Sequence, residues 1–383
     1  MFTECVDLVG VACKTFNGTK KYVSTGAVDV DHINESDTEI VDYEGKPSRA
    51  NLEVMAGDIL FAKMQGTKKT LMIDSVLADH IYSTGFCAVR AKEGILTKRC
   101  LYHLLTSEMF LSQKDKNCSG ATQKAITNAG LDKITIQVPS VNKQDSIADQ
   151  LDAIKSIITK RQQELTALDK LIKARFVEMF GDMLINPKGW PEQRLDSLAD
   201  IVSGITKGRK VKTDELYEVP YMAVSNVKDG YIDWTTVKTI MATAGEIDQY
   251  RLKPDDVLMT EGGDPDKLGR GAIIHEPPKD CIHQNHIFRV RLRQDILLSV
   301  FMAQYLQQQK AKRYFLGCAK QTTGIASINM KQLSALPVLV PPMKEQKEYA
   351  AFVAQVDKSK VVVQKALDEA QVLFDRLMQQ YFG

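Results

Sequence analysis

Side chains able to hold a metal concentrate at one place in the chain, Cys281-Ile282-His283-Gln284-Asn285-His286. Cys281 and His283 stand two apart and would share one face of a strand. A structural zinc site takes four Cys or His ligands, and no fourth ligand lies nearby, so the cluster reads as a strand end with incidental histidines. Patterns that carry catalysis are missing: there is no GxxxxGK[ST], no GxGxxG, no HExxH, no Ser-centred elbow and no paired-Cys zinc spacing. The Pro-Pro pairs in His275–Asp280 and Val340–Gln346 lack the Asn/Asp-Pro-Pro-aromatic context of an amino-methyltransferase. These absences point to a binding protein without catalysis of its own and with no cofactor or metal on this chain.

What remains is polar contact chemistry. Ser203-Gly204-Ile205-Thr206-Lys207-Gly208-Arg209-Lys210 is a glycine-punctuated basic loop. Thr206, Lys207, Arg209 and Lys210 would offer donors to phosphates or base edges. Glu261–Arg270 follows an apolar run and would place Lys267 and Arg270 at a nucleic-acid groove. The matching place earlier in the chain is Lys63–Thr70, with Lys63, Thr67, Lys68 and Lys69. Arg289, Arg291 and Arg293 alternate along a strand and would line one face as a basic stripe. Each pattern is equally that of a solvated loop or strand face. Tyr221, Tyr231 and Trp234 read as core or strand-surface packing rather than stacking platforms, and the acidic stretch Asp29–Glu44 is expected to avoid DNA.

Composition sets the frame for these loops. The 383 residues hold 50 Lys+Arg and 48 Asp+Glu, a net charge of +2, so any nucleic-acid contact must come from local patches. That length suits two to three domains of roughly 150 residues. No run approaches the roughly 18 apolar residues of a membrane span, so no membrane partner is expected. The start, MFTECVDLVG, carries acids where a secretory signal would be basic and then apolar. Seven cysteines without a CxxC pair predict a reducing, cytoplasmic setting.

The loops belong to a repeat. Shifted by 202, Ile126–Gly181 lies over Ile328–Gly383 without a gap, with eleven identities in 56 positions, among them Pro139/Pro341, Gln144/Gln346 and Phe180/Phe382. Ordinary composition gives roughly three or four. Upstream, Lys21–Val28 echoes Pro220–Val227, and Gly57–Phe61 echoes Asp255–Met259. Two tandem units of about 200 residues follow. Each begins with short apolar runs punctuated by Gly, Pro and Asp, read as strands and loops. A short strand comes next (Lys133–Pro139, Ala335–Pro341), then a long helix preceded by proline and ended by glycine. The expected division is 1–140, a helix over 141–181, 182–342, and a second helix over 343–383.

Both helices carry a heptad. In the first, the a/d positions are Ile147, Leu151, Ile154, Ile158, Arg161, Leu165, Leu168, Ile172, Arg175 and Met179. In the second they are Tyr349, Val353, Val356, Lys360, Val363, Leu367, Ala370, Phe374, Leu377 and Tyr381. Arg161, Arg175 and Lys360 interrupt the stripe opposite apolar positions of the other copy; they either favour pairing within one chain or snorkel past the seam. About 38 helical residues span roughly 57 Å. An antiparallel pair of that length, joining two similar globular regions about a pseudo-two-fold axis, predicts a ruler for two half-sites on a polymer of roughly 34 Å pitch.

Together these features resemble the specificity (S) subunit of type I restriction-modification systems. The carriers are the strand–Pro–x4–Gln starts (Ile136–Gln144, Val338–Gln346), the helix end Arg175–Asp182, the segment Asn186-Pro187-Lys188-Gly189-Trp190-Pro191 and the turn Val202-Ser203-Gly204. The resemblance covers nearly the whole chain, although the first unit has no clear counterpart of Asn186–Pro191. It implies an α+β fold with two similar mixed α/β target recognition domains separated by two long antiparallel coiled-coil helices. It also implies double-stranded DNA as ligand, read as a bipartite, asymmetric sequence. The implied partners are two copies of a methyltransferase (modification) subunit and, where present, two restriction subunits. S-adenosylmethionine, ATP and Mg would then sit on those partners. A coiled-coil scaffold with two protein-interaction domains that never touch DNA is the competing reading.

Overall fold

The computed structural model describes residues 1–211, 215–263, 268–322 and 325–383. The chain divides into two compact units, Met1–Gln163 with Val363–Gly383, and Glu164–Val362. Each unit therefore takes helical segments from two distant parts of the sequence.

The N-terminal unit holds an antiparallel sheet in the order Val6–Val9, Phe86–Ala91, Ile59–Ala62, Thr70–Met72. A second sheet runs Glu39–Val41, Lys20–Val23, Ile81–Ser83, Ala50–Leu52, its middle pair parallel. Helices Lys98–Thr106 and Glu108–Lys116 follow, started by Thr97 and Ser107, whose hydroxyls accept the Cys100 and Phe110 N–H groups. The C-terminal unit repeats the plan. Ala199–Ser203, Ile287–Leu292, Val257–Thr260 and Gly271–Ile273 form the antiparallel sheet, and Tyr217–Met222 pairs in parallel with Ile282–His283. Helices Ser299–Leu306 and Gln309–Cys318 follow. The same strand order in both copies makes the chain a tandem repeat of one α+β design.

One strand expected from the repeat forms in only one copy. Pro337–Leu339 pairs antiparallel with Glu192–Arg194. Lys133 closes a turn, and residues 134–139 form no strand and have no ladder partner among the described residues; Ile134 accepts a single backbone bond from Phe2, at 2.9 Å. An apolar run becomes a strand only where another edge meets it.

The long helices are Val141–Phe180 and Met343–Phe382. All twenty a/d positions named above are buried or half-buried, while most positions between them are exposed. Ile147 and Leu151 from the start of the first helix join Met378 and Phe382 from the end of the second in the N-terminal core. Phe176 and Phe180 join Tyr349 in the C-terminal core, with Phe301 stacked edge-on to Phe180 at 4.9 Å. Within each unit the two segments thus run antiparallel, start against end. In the C-terminal unit Lys360 reaches Asp169 at 2.6 Å and Asp357 at 3.3 Å, and Arg175 lies over the Phe352 ring at 5.6 Å. Those two charged interruptions are therefore matched across the helix pair inside the chain.

The helix ends are built by the motif residues. Gly181 turns the chain out of the first helix at φ +79°, a conformation glycine enters without penalty. Trp190 Nε1 donates to Phe180 O at 3.0 Å and Lys188 Nζ to Met179 O at 2.5 Å, satisfying carbonyls that a helix leaves orphaned at its C-terminus. At the starts, Gln144 and Gln346 are fully buried. Gln346 Nε2 donates to Ile296 O (3.0 Å) and Pro341 O (2.8 Å), and its Oε1 accepts from Leu298 N (2.9 Å). Gln144 repeats this with Ile95 O, Pro139 O and Thr97 N at 2.9, 2.8 and 2.7 Å.

Replacing Gln346 by Leu keeps the volume but strands one N–H and two carbonyls. The C-terminal unit is expected to lose roughly 3 kcal/mol, a fall of roughly 6–12 °C in its melting transition. Differential scanning calorimetry checks this, and a shift below about 1 °C would contradict the clamp.

Candidate nucleic-acid interface

In the N-terminal unit the lysine-rich loop leaves Ile59–Ala62 and returns into Thr70–Met72. Lys68 is exposed and forms a 3.2 Å ion pair with the equally exposed Glu108, which adds little stability in water. Lys63 and Thr67 are half-buried, and the Thr67 hydroxyl donates to Met64 O at 2.6 Å. Lys69 Nζ is tied to Thr25 O at 2.8 Å. The loop presents Lys68, leaves Lys63 half-buried and holds Lys69 inward.

In the C-terminal unit Thr206, Lys207 and Lys210 are exposed. Gly204 seats the loop: a Cβ there would stand 2.0 Å from His283 O, so only glycine lets the two backbones meet. Arg209 is not open. Its guanidinium grips both oxygens of Glu246 at 2.5 Å and donates to Met241 O at 3.1 Å. Arg209 holds the Glu246 carboxyl at a pKa of about 2, and Glu246 also accepts the Thr243 N–H as a helix-start cap. Arg270 is half-buried, and Lys267 lies outside the described residues.

The basic stripe is not a free face. Arg289 and Arg291 do share a side of Ile287–Leu292, but Arg289 is buried there and Arg291 half-buried, and Arg293 lies exposed beyond the strand's end. Arg289 is 3% exposed and bonds Asp200 at 2.8 Å and Gln249 O at 2.9 Å. Arg291 forms a two-pronged pair with Asp256, at 2.7 and 2.8 Å, and Asp256 is 1% exposed. The repeat explains this. Arg90 holds buried Asp58 at the equivalent place, with both nitrogens on one carboxylate oxygen at 2.8 and 2.6 Å, and Asp58 and Asp256 each cap a backbone N–H three residues earlier (Met55, Lys253). The arginine–aspartate pair belongs to the shared framework. The Gly57–Phe61/Asp255–Met259 echo already held the aspartates; Arg90 aligned with Arg291 was the unused signal.

The histidine cluster is structural too. His283 is completely buried between Tyr250 O (3.1 Å) and Val202 O (3.3 Å), and burial pushes its pKa down to about 4. Cys281 is buried, its thiol pushed up to about 12, and His286 turns away to Glu261 at 2.6 Å. No group of three metal-capable residues gathers among the described residues. Tyr221 is buried as expected, and Trp234 packs at the edge of a small core, but Tyr231 is 60% exposed on a turn. Tyr231 lines a cleft of about 490 Å³ with Asp229, Gln307 and Lys360. A cleft of about 530 Å³ in the N-terminal unit is lined by Asp31, Tyr102, His103 and Lys155. There Lys155 bonds Asp31 and Tyr102 at 2.5 Å, so the tip of the acidic stretch is fastened to the first helix.

A model of the family described as "Type I restriction modification DNA specificity domain" matches residues 10–167 and 187–370. The chain is 22% identical over 307 residues to the type I restriction enzyme EcoKI specificity subunit of Escherichia coli (strain K12). It is 23% identical over 312 residues to the StySPI specificity subunit of Salmonella potsdam. Both alignments take in 77% of this chain and 66% of the relative, so the chain spans just under two thirds of their length. A solved chain from work on complex assembly and conformational transition of the type I R-M system superposes with a TM-score of 0.57 at 20% identity, covering 100% of this chain and 98% of that one. The type I restriction-modification S subunit from M. genitalium gives 0.56 at 16%, covering 100% and 95%. At these identities the structural likeness is one of fold.

The placements separate framework charges from open ones. Arg291→Ala strands the buried Asp256 carboxylate and is expected to cost roughly 3 kcal/mol of stability. The double change Lys207→Ala, Lys210→Ala should leave the melting transition within about 0.5 kcal/mol of the parent while weakening duplex binding and flattening its salt dependence. Thermal unfolding alongside binding at several salt concentrations checks both; the reverse pattern would exchange the two assignments.

Proposed function

Because the chain belongs to the type I restriction-modification DNA specificity family, we propose that it is the DNA-reading, non-catalytic subunit of a type I restriction-modification assembly. Residues 1–140 and 182–342 are the two target recognition domains, each reading one half of a bipartite, asymmetric duplex sequence. The helices, 141–181 and 343–383, set the unread gap and dock two copies of an adenine methyltransferase subunit, with restriction subunits joining where the system has them. S-adenosylmethionine, ATP and Mg belong to those partners.

The observation that carries this reading is one framework built twice with different loops at matched corners. Two copies with identical loops would read a symmetric site. Here Lys63–Thr70 and Glu261–Arg270 leave equivalent strands with unlike sequences, as two unlike half-sites require. Lys63, Thr67 and Lys68 on one side, and Thr206, Lys207, Lys210, Lys267 and Arg270 on the other, are the proposed contacts. Lys69 and Arg209 shape the loops that carry them, and Arg289 and Arg291 brace the strands behind. Phosphate contacts give affinity and register, and base-edge contacts give sequence. Near-zero net charge suits a subunit whose partners share the electrostatic grip.

Electrophoretic shift of duplex DNA tests the function. Weak, nonspecific binding is expected from this chain alone and specific binding once the methyltransferase is co-assembled. An assembled complex that binds no duplex would leave the protein-scaffold reading in place. A second outcome follows from helix geometry. Inserting four residues, about one turn or 6 Å, should lengthen the gap between methylated half-sites without altering either half. Methylome sequencing that finds methylation only at the original spacing would contradict the ruler.

A further inference from the structure

Lys114, in helix Glu108–Lys116, is completely buried, the one lysine so placed among the described residues. Its ammonium donates to Met64 O and Thr67 O, each at 2.9 Å, and Asp115 Oδ1 lies 3.1 Å away. The other carboxylate oxygen of Asp115 accepts the Gly66 N–H at 3.0 Å, and the Asp115 carbonyl accepts Gln65 Nε2 at 3.3 Å. Gln65 N donates to Lys124 O at 3.0 Å, closing the far side. Every residue of the turn Met64–Thr67 is thus held from beneath by Lys114, Asp115 or Lys124, while Gly66 at φ +77° faces open space. Lys63 and Lys68 flank that turn.

A buried ammonium is a poor way to stabilise a core that already holds Phe110 and Leu111, because its desolvation offsets most of what the ion pair returns. Its useful property is directional: three donors diverge from one atom and match carbonyls that point toward it. The other unit solves the same place differently. Seven residues after the helix-start residue stands Lys114 in one copy, counted from Ser107, and Phe315 in the other, counted from Gln308. Phe315 is also fully buried, and it lies against the backbone of Gly269 in the corresponding loop, where a Cβ would come within 2.2 Å of its ring. One loop rests on an aromatic plane; the other is wired to a charge.

We infer that Lys114, with Asp115, is a positioning residue for DNA recognition: it holds the Met64–Thr67 turn in its reading geometry, so that the N-terminal domain's half-site is read by a preformed loop. This rests on the DNA-reading role proposed above. Neither side chain touches DNA. Lys114 acts by keeping the turn in the competent conformation, and apparent affinity falls in proportion to the fraction of time that conformation is lost.

The test uses the full chain co-assembled with its methyltransferase, after the parent target has been mapped by methylation. Competition binding is then measured on duplexes with single base-pair changes in each half. Lys114→Met is expected to lower discrimination at one half-site by roughly tenfold or more, leaving the other within twofold of the parent. Asp115→Ala, which removes the Gly66 anchor and the carboxylate beside the Lys114 ammonium, should weaken the same half-site and serves as the deciding variant if Lys114→Met does not fold. Loss spread equally over both halves, or none at either, overturns the inference. Hydrogen exchange over residues 63–70 reads the positioning without DNA: it should accelerate at least tenfold in the variant while the Phe86–Ala91 strand stays protected, and unchanged exchange also overturns it. A parent complex that binds no duplex would instead remove the DNA-reading role, leaving the exchange result to judge the loop.

Discussion

The carboxamide of Gln346 sits at the first turn of a long helix, shut off from water, with both of its N–H groups and its oxygen in use. It ties that turn to Ile296 and Leu298, the residues that lead into helix Ser299–Leu306, and Gln144 does the same for Ile95 and Thr97 ahead of Lys98–Thr106. Much follows from these two clamps. Because the amide is satisfied in one geometry only, the rotation of the helix about its axis is set at its start. A helix whose start is set carries its heptad stripe in one direction, which brings Tyr349 into the C-terminal core and Ile147 with Leu151 into the N-terminal one. The ends of the opposite helices, Phe176/Phe180 and Met378/Phe382, complete those cores.

Duplication let the framework and the reading surface diverge. Groups that hold the framework recur as pairs: Asp58–Arg90 with Asp256–Arg291, Gln144 with Gln346, Phe180 with Phe382. Losing any of them strands a buried polar group or opens a cavity, costs of about 1–5 kcal/mol in a fold with little to spare. Exposed loop side chains carry no such penalty, so Lys68 and Lys207 can each differ from whatever stands at the corresponding place of the other copy. What lies beneath the loops stands between these extremes. Lys114 and Phe315 occupy the same buried slot with unlike chemistry, because each must suit the loop resting on it.

The sequence alone determined the repeat, the order of elements within it and the position and stripe of both long helices. Those features are legible because a heptad, a proline before a helix and a glycine after it act through neighbours a few residues apart. The tertiary structure alone decided which charges are open. Arg291 and Asp256 are 35 residues apart, Arg209 and Glu246 are 37 apart, and Lys114 reaches Met64 across 50. Alternating arginines on a strand look the same whether water or a buried carboxylate faces them. The pairing partner arrives only when distant strands and helices close over that face, so the difference between a contact and a brace is a property of the fold.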